Sequence, residues 1–445
     1  MRRLATAAAI LTGAAALAAL IVAREVARAQ RPQVSGEAFA ADQQPGKQFR
    51  ISAEELPPPK ATSVRNGPRT LPFDGQSLTV PEGFAATLFA KLENPRRLLV
   101  LPNGDIVVAQ QRPGYLTLLR VREGGGRAES IERLAEGFNL PYGLAWRDDH
   151  LLVADQDGIW KVAGILDTLR TGRGFEGRTA DVVSERRDPS HAFARQELIT
   201  KRGVFGISRG HANRPLAIDR NNGQLFVGVG SIGNVGIEPE VKATIQRFAP
   251  DGTGQVTFVS GVRNTCGLAV HPDTGELWAV VQERDGLGDR LPPDYLARPE
   301  AGAFYGWPYA YTGQHPQPGY ADRAPEKVTS SKMPDLLFEA HSSALDLIFY
   351  DGALFPSEYH GDAFVALRGS WNRSQPTGYK VVRVPFKQGR PQGFYQNFAT
   401  GFWVAGIARA EVWGRPAAVA VAKDGALLIA DDTGGTIWRV AYVGK

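Results

Sequence analysis

The chain has a single cysteine, Cys266, in 445 residues. One thiol excludes an internal disulfide, a cysteine-based zinc site and a redox pair. The seven histidines are scattered without ligand spacing, which argues against zinc of any kind. There is no His-Glu-x-x-His, no Gly-x-Ser-x-Gly and no phosphate-cradling glycine loop ahead of a helix. No run of Lys or Arg occurs either. The formal charge is +5, and Arg2, Arg3, Arg24 and Arg28 against Glu25 account for three of those charges, leaving about +2 for the rest. Nucleic-acid binding therefore has no support.

Helical apolar periodicity is also scarce, whereas Gly (50) and Pro (30) are abundant, so an all-β, turn-rich protein is expected. The exception is the start of the chain. Residues 1–29 read as a signal peptide: Arg2-Arg3 is a basic lead, Leu4–Ala23 is apolar, and Ala27-Arg28-Ala29 is a small-x-small cleavage pattern. The apolar run is also about long enough to span a bilayer, so an uncleaved anchor competes. Both versions export the body, to the periplasm, with membrane contact only through this segment. Residues 30–79 are rich in Pro, Gln and basic residues and read as a linker or surface strap.

From residue 80 to 445 a unit recurs six times: a turn carrying Asp, Asn or Gly, then a short Val/Leu/Phe strand. The turns are Pro102–Asp105, Arg147–His150, Arg220–Gly223, Pro272–Gly275, Tyr359–Asp362 and Lys423–Ala426. Short apolar strands precede them, such as Gly143–Trp146 and Ala417–Val421. One meander cannot bury both its faces, but units arranged radially bury one another and leave few open edges. A six-bladed β-propeller is expected, with long inter-strand loops at Ile165–Gly206 and Gly286–Lys332. The last strand, Thr436–Val443, is expected to pair with Phe84–Ala90 and close the ring.

Propellers build sites at the channel mouth from equivalent positions of different blades. His211 lies just before the strand pair of the third unit, Arg263-Asn264 before the fourth and Arg415 before the sixth, while Arg368 follows the strand of the fifth. One imidazole and three guanidiniums facing one cavity call for an anionic ligand, and guanidinium suits carboxylate. Beside Arg263-Asn264 the stretch 261–311 forms a hairpin that closes on Gln282-Glu283-Arg284-Asp285, placing polar groups at strand ends.

Several motifs are shared with a known family. They are Pro81-Glu82-Gly83-Phe84, Glu93-Asn94-Pro95-Arg96, Gly210-His211, Gly261–Asn264, Glu283–Asp289 with Leu291–Leu296, Phe304–Tyr309 and Gly369–Arg373. On these the chain resembles the glucose/sorbosone dehydrogenases, the soluble-type sugar dehydrogenases that use pyrroloquinoline quinone (PQQ), and most of all their sorbosone dehydrogenase-like branch. The resemblance spans roughly residues 80–443 and implies an oxidoreductase acting on a sugar-type alcohol, hemiacetal or aldehyde. Electrons would pass to a quinone or cytochrome acceptor. It implies His211 as general base and Arg263 on the reactive quinone oxygen with Asn264 beside it. Arg368 and Arg415 would hold cofactor carboxylates. Ca2+ would be bound by the Gln282 side chain and the main-chain carbonyls of Glu283 and Arg284. Arg368, Gln282 and Thr265-Cys266 depart from the family's usual residues. Two other readings compete: a calcium-dependent lactonase-type propeller, and a non-catalytic propeller that binds a ligand or a protein.

Overall fold

The computed structural model describes residues 42–62, 64–122, 125–165 and 195–444. The signal-peptide segment, the first part of the strap and most of the 165–206 loop lie outside them. Among the described residues no helix is long and apolar enough to cross a membrane.

The unit from Gln43 to Lys445 is nearly all β, in the manner of a β-propeller. Among the described residues, six antiparallel sheets hold four or more strands each. Their innermost strands are Pro95–Val100, Gly143–Arg147, Leu216–Ile218, Asn264–Val270, Ala344–Phe349 and Pro416–Val421. Each touches the next, and the last touches the first. The expected closure is present: Phe84–Lys91 pairs antiparallel with Thr436–Tyr442, Phe84 opposite Tyr442 and Lys91 opposite Thr436.

The core lies between sheets, because each sheet is apolar on both faces. Leu101, Leu118, Leu144 and Val153 fill one gap, and Leu152, Phe205, Val227 and Phe248 the next. Trp278, Phe338, Val365 and Tyr395 fill another. Burial of each such side chain contributes about 1.5–3 kcal/mol. Where the closing sheet meets its neighbour the filling is aromatic: Phe84 lies edge-on to Phe355, Tyr359 and Phe398.

Two stretches differ from the sequence reading. Within Gly286–Lys332, Tyr295–Ala297 is a buried strand of the fourth sheet, not open loop. Its three apolar residues are too few to show a period, so only pairing with Ala279–Val281 reveals it. In the strap, Gln48–Phe49 pairs with Tyr395–Gln396 and Arg69–Thr70 runs parallel to Glu411–Val412, so these residues extend sheets of the body.

One irregularity matters for the site. Four inner strands carry a β-bulge near their start, leaving Arg96, Cys266, Leu345 and Ala417 without a partner opposite. A bulge re-aims the extra residue. Cys266, Leu345 and Ala417 then pack on one another. The Tyr142 hydroxyl lies 2.9 Å from the Cys266 carbonyl and 3.0 Å from that of Leu345. The fourth bulged residue is an arginine, and it belongs to the site.

Candidate active site

The predicted residues come together as two groups rather than one. The first surrounds His211. Its Nδ1 is 2.9 Å from the carbonyl of Ser231 and 3.1 Å from that residue's Oγ. A carbonyl only accepts, so Nδ1 carries the hydrogen and Nε2 keeps the lone pair. The backbone fixes this: His211 N donates to Ser231 O at 3.0 Å, and Ser231 N to Arg263 O at 2.8 Å. Gly230 makes the approach possible, since a Cβ there would stand 2.6 Å from both His211 Cβ and Asn264 Oδ1. His211 and Asn264 therefore face one another. Asn264 donates to Gln282 Oε1 at 3.2 Å, while its own Oδ1 is buried with no hydrogen-bond partner.

Arg263 is the centre of this group. Its Nε donates to Asn234 O at 2.9 Å, Nη1 to Glu283 O at 2.8 Å and Nη2 to Asn234 Oδ1 at 3.1 Å. A buried guanidinium is thus hydrogen-bonded only to neutral oxygens, with the Asp285 carboxylate nearby but not paired to it. Burial first, and Arg263 second, take the His211 imidazole from its ordinary 6.5 down to about 4. The structure lowers it because the ring is sheltered and a cation stands beside it.

The second group is cationic. Arg368 Nε lies 2.9 and 3.0 Å from the two carboxylate oxygens of Asp432. Arg96, the bulged residue, pairs with the same carboxylate. Arg415 donates from Nε to Arg368 O at 3.1 Å and from Nη2 to Gly369 O at 2.6 Å. Burial, with Arg368 next in weight, takes Arg415 down to about 9. Burial alone would raise the Asp432 carboxyl, but Arg96 and Arg368 outweigh it and hold the group below the ordinary carboxylate range. Asp431 also lies here, its Oδ1 accepting from Arg415 N at 2.6 Å, and three guanidiniums to two carboxylates still leave a surplus of positive charge that favours an anion.

Ser343 joins the groups: its Oγ accepts from Gln282 Nε2 at 2.8 Å and its carbonyl from Arg368 N at 2.9 Å. Arg96, Asp432, Asn234 and Ser343 were not picked out as site residues in the sequence. Arg96 carried a signal, since Glu93-Asn94-Pro95-Arg96 opens the first inner strand where Arg415 opens the last. The other three reach the site through space and carried none.

The calcium donors are placed otherwise than expected. Gln282 Oε1 accepts from Asn264, and the Glu283 carbonyl accepts from Arg263. Arg284 Nε donates to Asp285 O at 2.9 Å. The Glu283 carboxyl is buried and pushed up to about 8, chiefly by desolvation, so it holds its proton at neutral pH. Among the described residues no group of three or more His, Cys, Asp or Glu is disposed to hold a metal. In this arrangement two of the three oxygens proposed for calcium already accept a hydrogen bond, Glu283 O from Arg263 and Gln282 Oε1 from Asn264. The fit to an anionic, carboxylate-bearing cofactor is better: surplus guanidinium charge in one group, a buried unpartnered amide oxygen and a neutral imidazole in the other.

Residues 312–443 match the family model described as TrAA12-like. The chain is 29% identical over 278 residues to a PQQ-dependent pyranose dehydrogenase of Coprinopsis cinerea, an overlap of 49% of this chain and 36% of that one. The family resemblance seen in the sequence holds. The chain thus spans about a third of that relative's length. An uncharacterized protein of Borreliella burgdorferi is 28% identical over 372 residues, covering 82% of this chain and 91% of that one. The holo PQQ domain of the Coprinopsis pyranose dehydrogenase superposes with a TM-score of 0.64 at 20% identity, covering 83% of this chain and 98% of that domain. At that identity the superposition speaks for the fold. None of these matches favours the sorbosone dehydrogenase-like branch in particular.

Proposed function

We propose that this protein is a six-bladed, PQQ-dependent oxidoreductase that oxidises a sugar-type alcohol, hemiacetal or aldehyde hydrate and passes electrons to a quinone or cytochrome. The observation that carries this is the pairing of a neutral imidazole with a cluster of surplus guanidinium charge, joined through Ser343. The cyclic contact of six inner strands supports the blade count, and the export pattern of residues 1–29 supports a periplasmic site of action.

PQQ, when bound, supplies the two-electron acceptor. Arg96, Arg368 and Arg415 would hold its carboxylates, and Arg263 with Asn264 would face its quinone oxygens. His211 Nε2 takes the proton of the substrate hydroxyl. The Nδ1 bond to Ser231 fixes the ring's tautomer and orientation through that step. Arg263 stabilises negative charge that develops nearby, since its N–H groups are already held in place and need no reorganisation. Calcium is a separate question, because the Glu283 carbonyl it would use already accepts from Arg263.

The test is anaerobic mixing of PQQ-loaded protein with a panel of aldoses, ketoses and sugar aldehydes, following the absorbance of the cofactor. Bleaching by one class of sugar, lost in His211→Ala while PQQ stays bound, is expected. Bound PQQ that no sugar reduces would leave a ligand-binding propeller as the better reading.

A further inference from the structure

Ser343 sits in a costly turn. His341 and Ser343 both adopt left-handed backbone, with φ of 67° and 61°, although neither is glycine. Such conformations persist only where the surroundings over-determine them, and they cluster at functional sites. Here the holder is Asp294, 2% exposed, immediately ahead of the Tyr295–Ala297 strand. Its Oδ2 accepts from Ser343 N at 2.7 Å and lies 3.4 Å from Ser342 Oγ. Its Oδ1 accepts from Glu283 N at 2.9 Å.

Each of those partners leads to a different group of the site. Glu283 passes its carbonyl to Arg263. Ser343 passes its carbonyl to Arg368 N at 2.9 Å, and Ser342 its carbonyl to Gly369 N at 2.9 Å. Gly369 in turn receives Arg415 Nη2 at 2.6 Å. One carboxylate therefore stands between the Arg263 cradle and the Arg368–Arg415 cluster, two bonds from each. The turn has a second tie, from His341 Nε2 to Gly288 O at 2.9 Å.

We infer that Asp294 is a positioning residue: through Glu283 and the His341–Ser343 turn it sets the spacing between the proton-accepting group and the guanidinium cluster, so that one rigid, polyanionic cofactor can span both. The inference rests on the cofactor reading above. Asp294 touches neither cofactor nor substrate and acts through its two main-chain partners.

The test is Asp294→Leu, which keeps the approximate size but can accept from neither backbone N–H group. Two readouts are taken. Without PQQ, hydrogen exchange at the amides of Glu283 and Ser343 should accelerate together, while Leu277–Val281 stays protected. With PQQ, titration should show affinity weakened by about tenfold or more, the size of one lost charge-assisted bond. Exchange unchanged at either amide, or full affinity in a folded variant, overturns the inference. If the variant does not fold, Asp294→Asn keeps the shape and loses one of the two acceptor oxygens. It should weaken PQQ binding about threefold to tenfold, and unchanged affinity counts against Asp294. Failure of the wild type to bind PQQ defeats the cofactor reading instead, and the exchange result alone then decides the Asp294 tie.

Discussion

Arg263 and Arg368 look alike in the sequence, each an arginine at the end of a short apolar strand, yet the structure gives them opposite surroundings. Arg263 is hydrogen-bonded to the neutral oxygens of Asn234 and Glu283 and has no carboxylate paired to it among the described residues. Arg368 shares one carboxylate with Arg96 and has Arg415 against its carbonyl. The first arrangement tunes a neighbour: it helps make His211 neutral. The second stores an electrostatic demand that a ligand satisfies. Residue type alone does not separate those roles, whereas counting the anions around each guanidinium does.

The comparison breaks most visibly at His211. His211→Ala should lower kcat by about 10²-fold or more, the scale of general-base catalysis, with PQQ affinity unchanged in the same titration. Its pH behaviour follows from the same surroundings. The acid limb of kcat/KM should fall near pH 4 rather than near 6.5. Between those values the unfolded chain binds a proton that the native state refuses. Stability should therefore climb as pH rises from about 4 to 6.5, and His211→Gln should flatten that slope in denaturant titrations.

At the other group, Asp432→Asn takes the shared counter-charge from Arg96 and Arg368. Unfolding free energy should drop by about 3 kcal/mol, and PQQ or another polyanion should recover much of it. A loss that no anion reverses would mean that the cluster is only structural. Next in size is Gly230→Ala, whose Cβ would meet His211 and Asn264 at 2.6 Å. It should cost about 1–3 kcal/mol and disturb turnover more than PQQ affinity, as judged by steady-state kinetics beside a binding curve. Smallest is Glu276→Gln. This carboxylate, in the turn just ahead of Leu277–Gln282, meets Arg298 and Arg390, and all three side chains are partly exposed. Its removal should change stability by about 1 kcal/mol or less and leave turnover alone, a control for charge loss away from the site.

Much of the architecture was legible because it rests on local signals. Turn residues such as Pro272–Gly275, and strands of alternating or wholly apolar pattern, mark the sheets directly. Phe84–Lys91 and Thr436–Tyr442 could be matched as the two strands left over at the ends. Tyr295–Ala297 was hidden because three residues show no period. In the site, His211, Arg263 and Arg415 could be chosen because each sits just before an inner strand. Asp432, Asn234 and Ser343 could not, since each enters through a contact with a residue distant in the chain. The bulge that turns Arg96 toward Asp432 is likewise a matter of pairing, which one strand's residues do not encode. Of the calcium donors carried over from the resemblance, the Glu283 carbonyl meets Arg263, a contact visible only once the guanidinium has a position.

The measurement closest to the central claim is titration of the purified protein with PQQ, with a chelator present and then with calcium, in the wild type and in Arg415→Met. The account predicts tight binding by the wild type and at least tenfold weaker binding by the variant. Binding that survives the chelator would agree with Arg263 holding the Glu283 carbonyl, and binding that needs calcium would show the guanidinium displaced. No binding in either condition, or equal affinity in Arg415→Met, would contradict the claim that these two groups form one cofactor site.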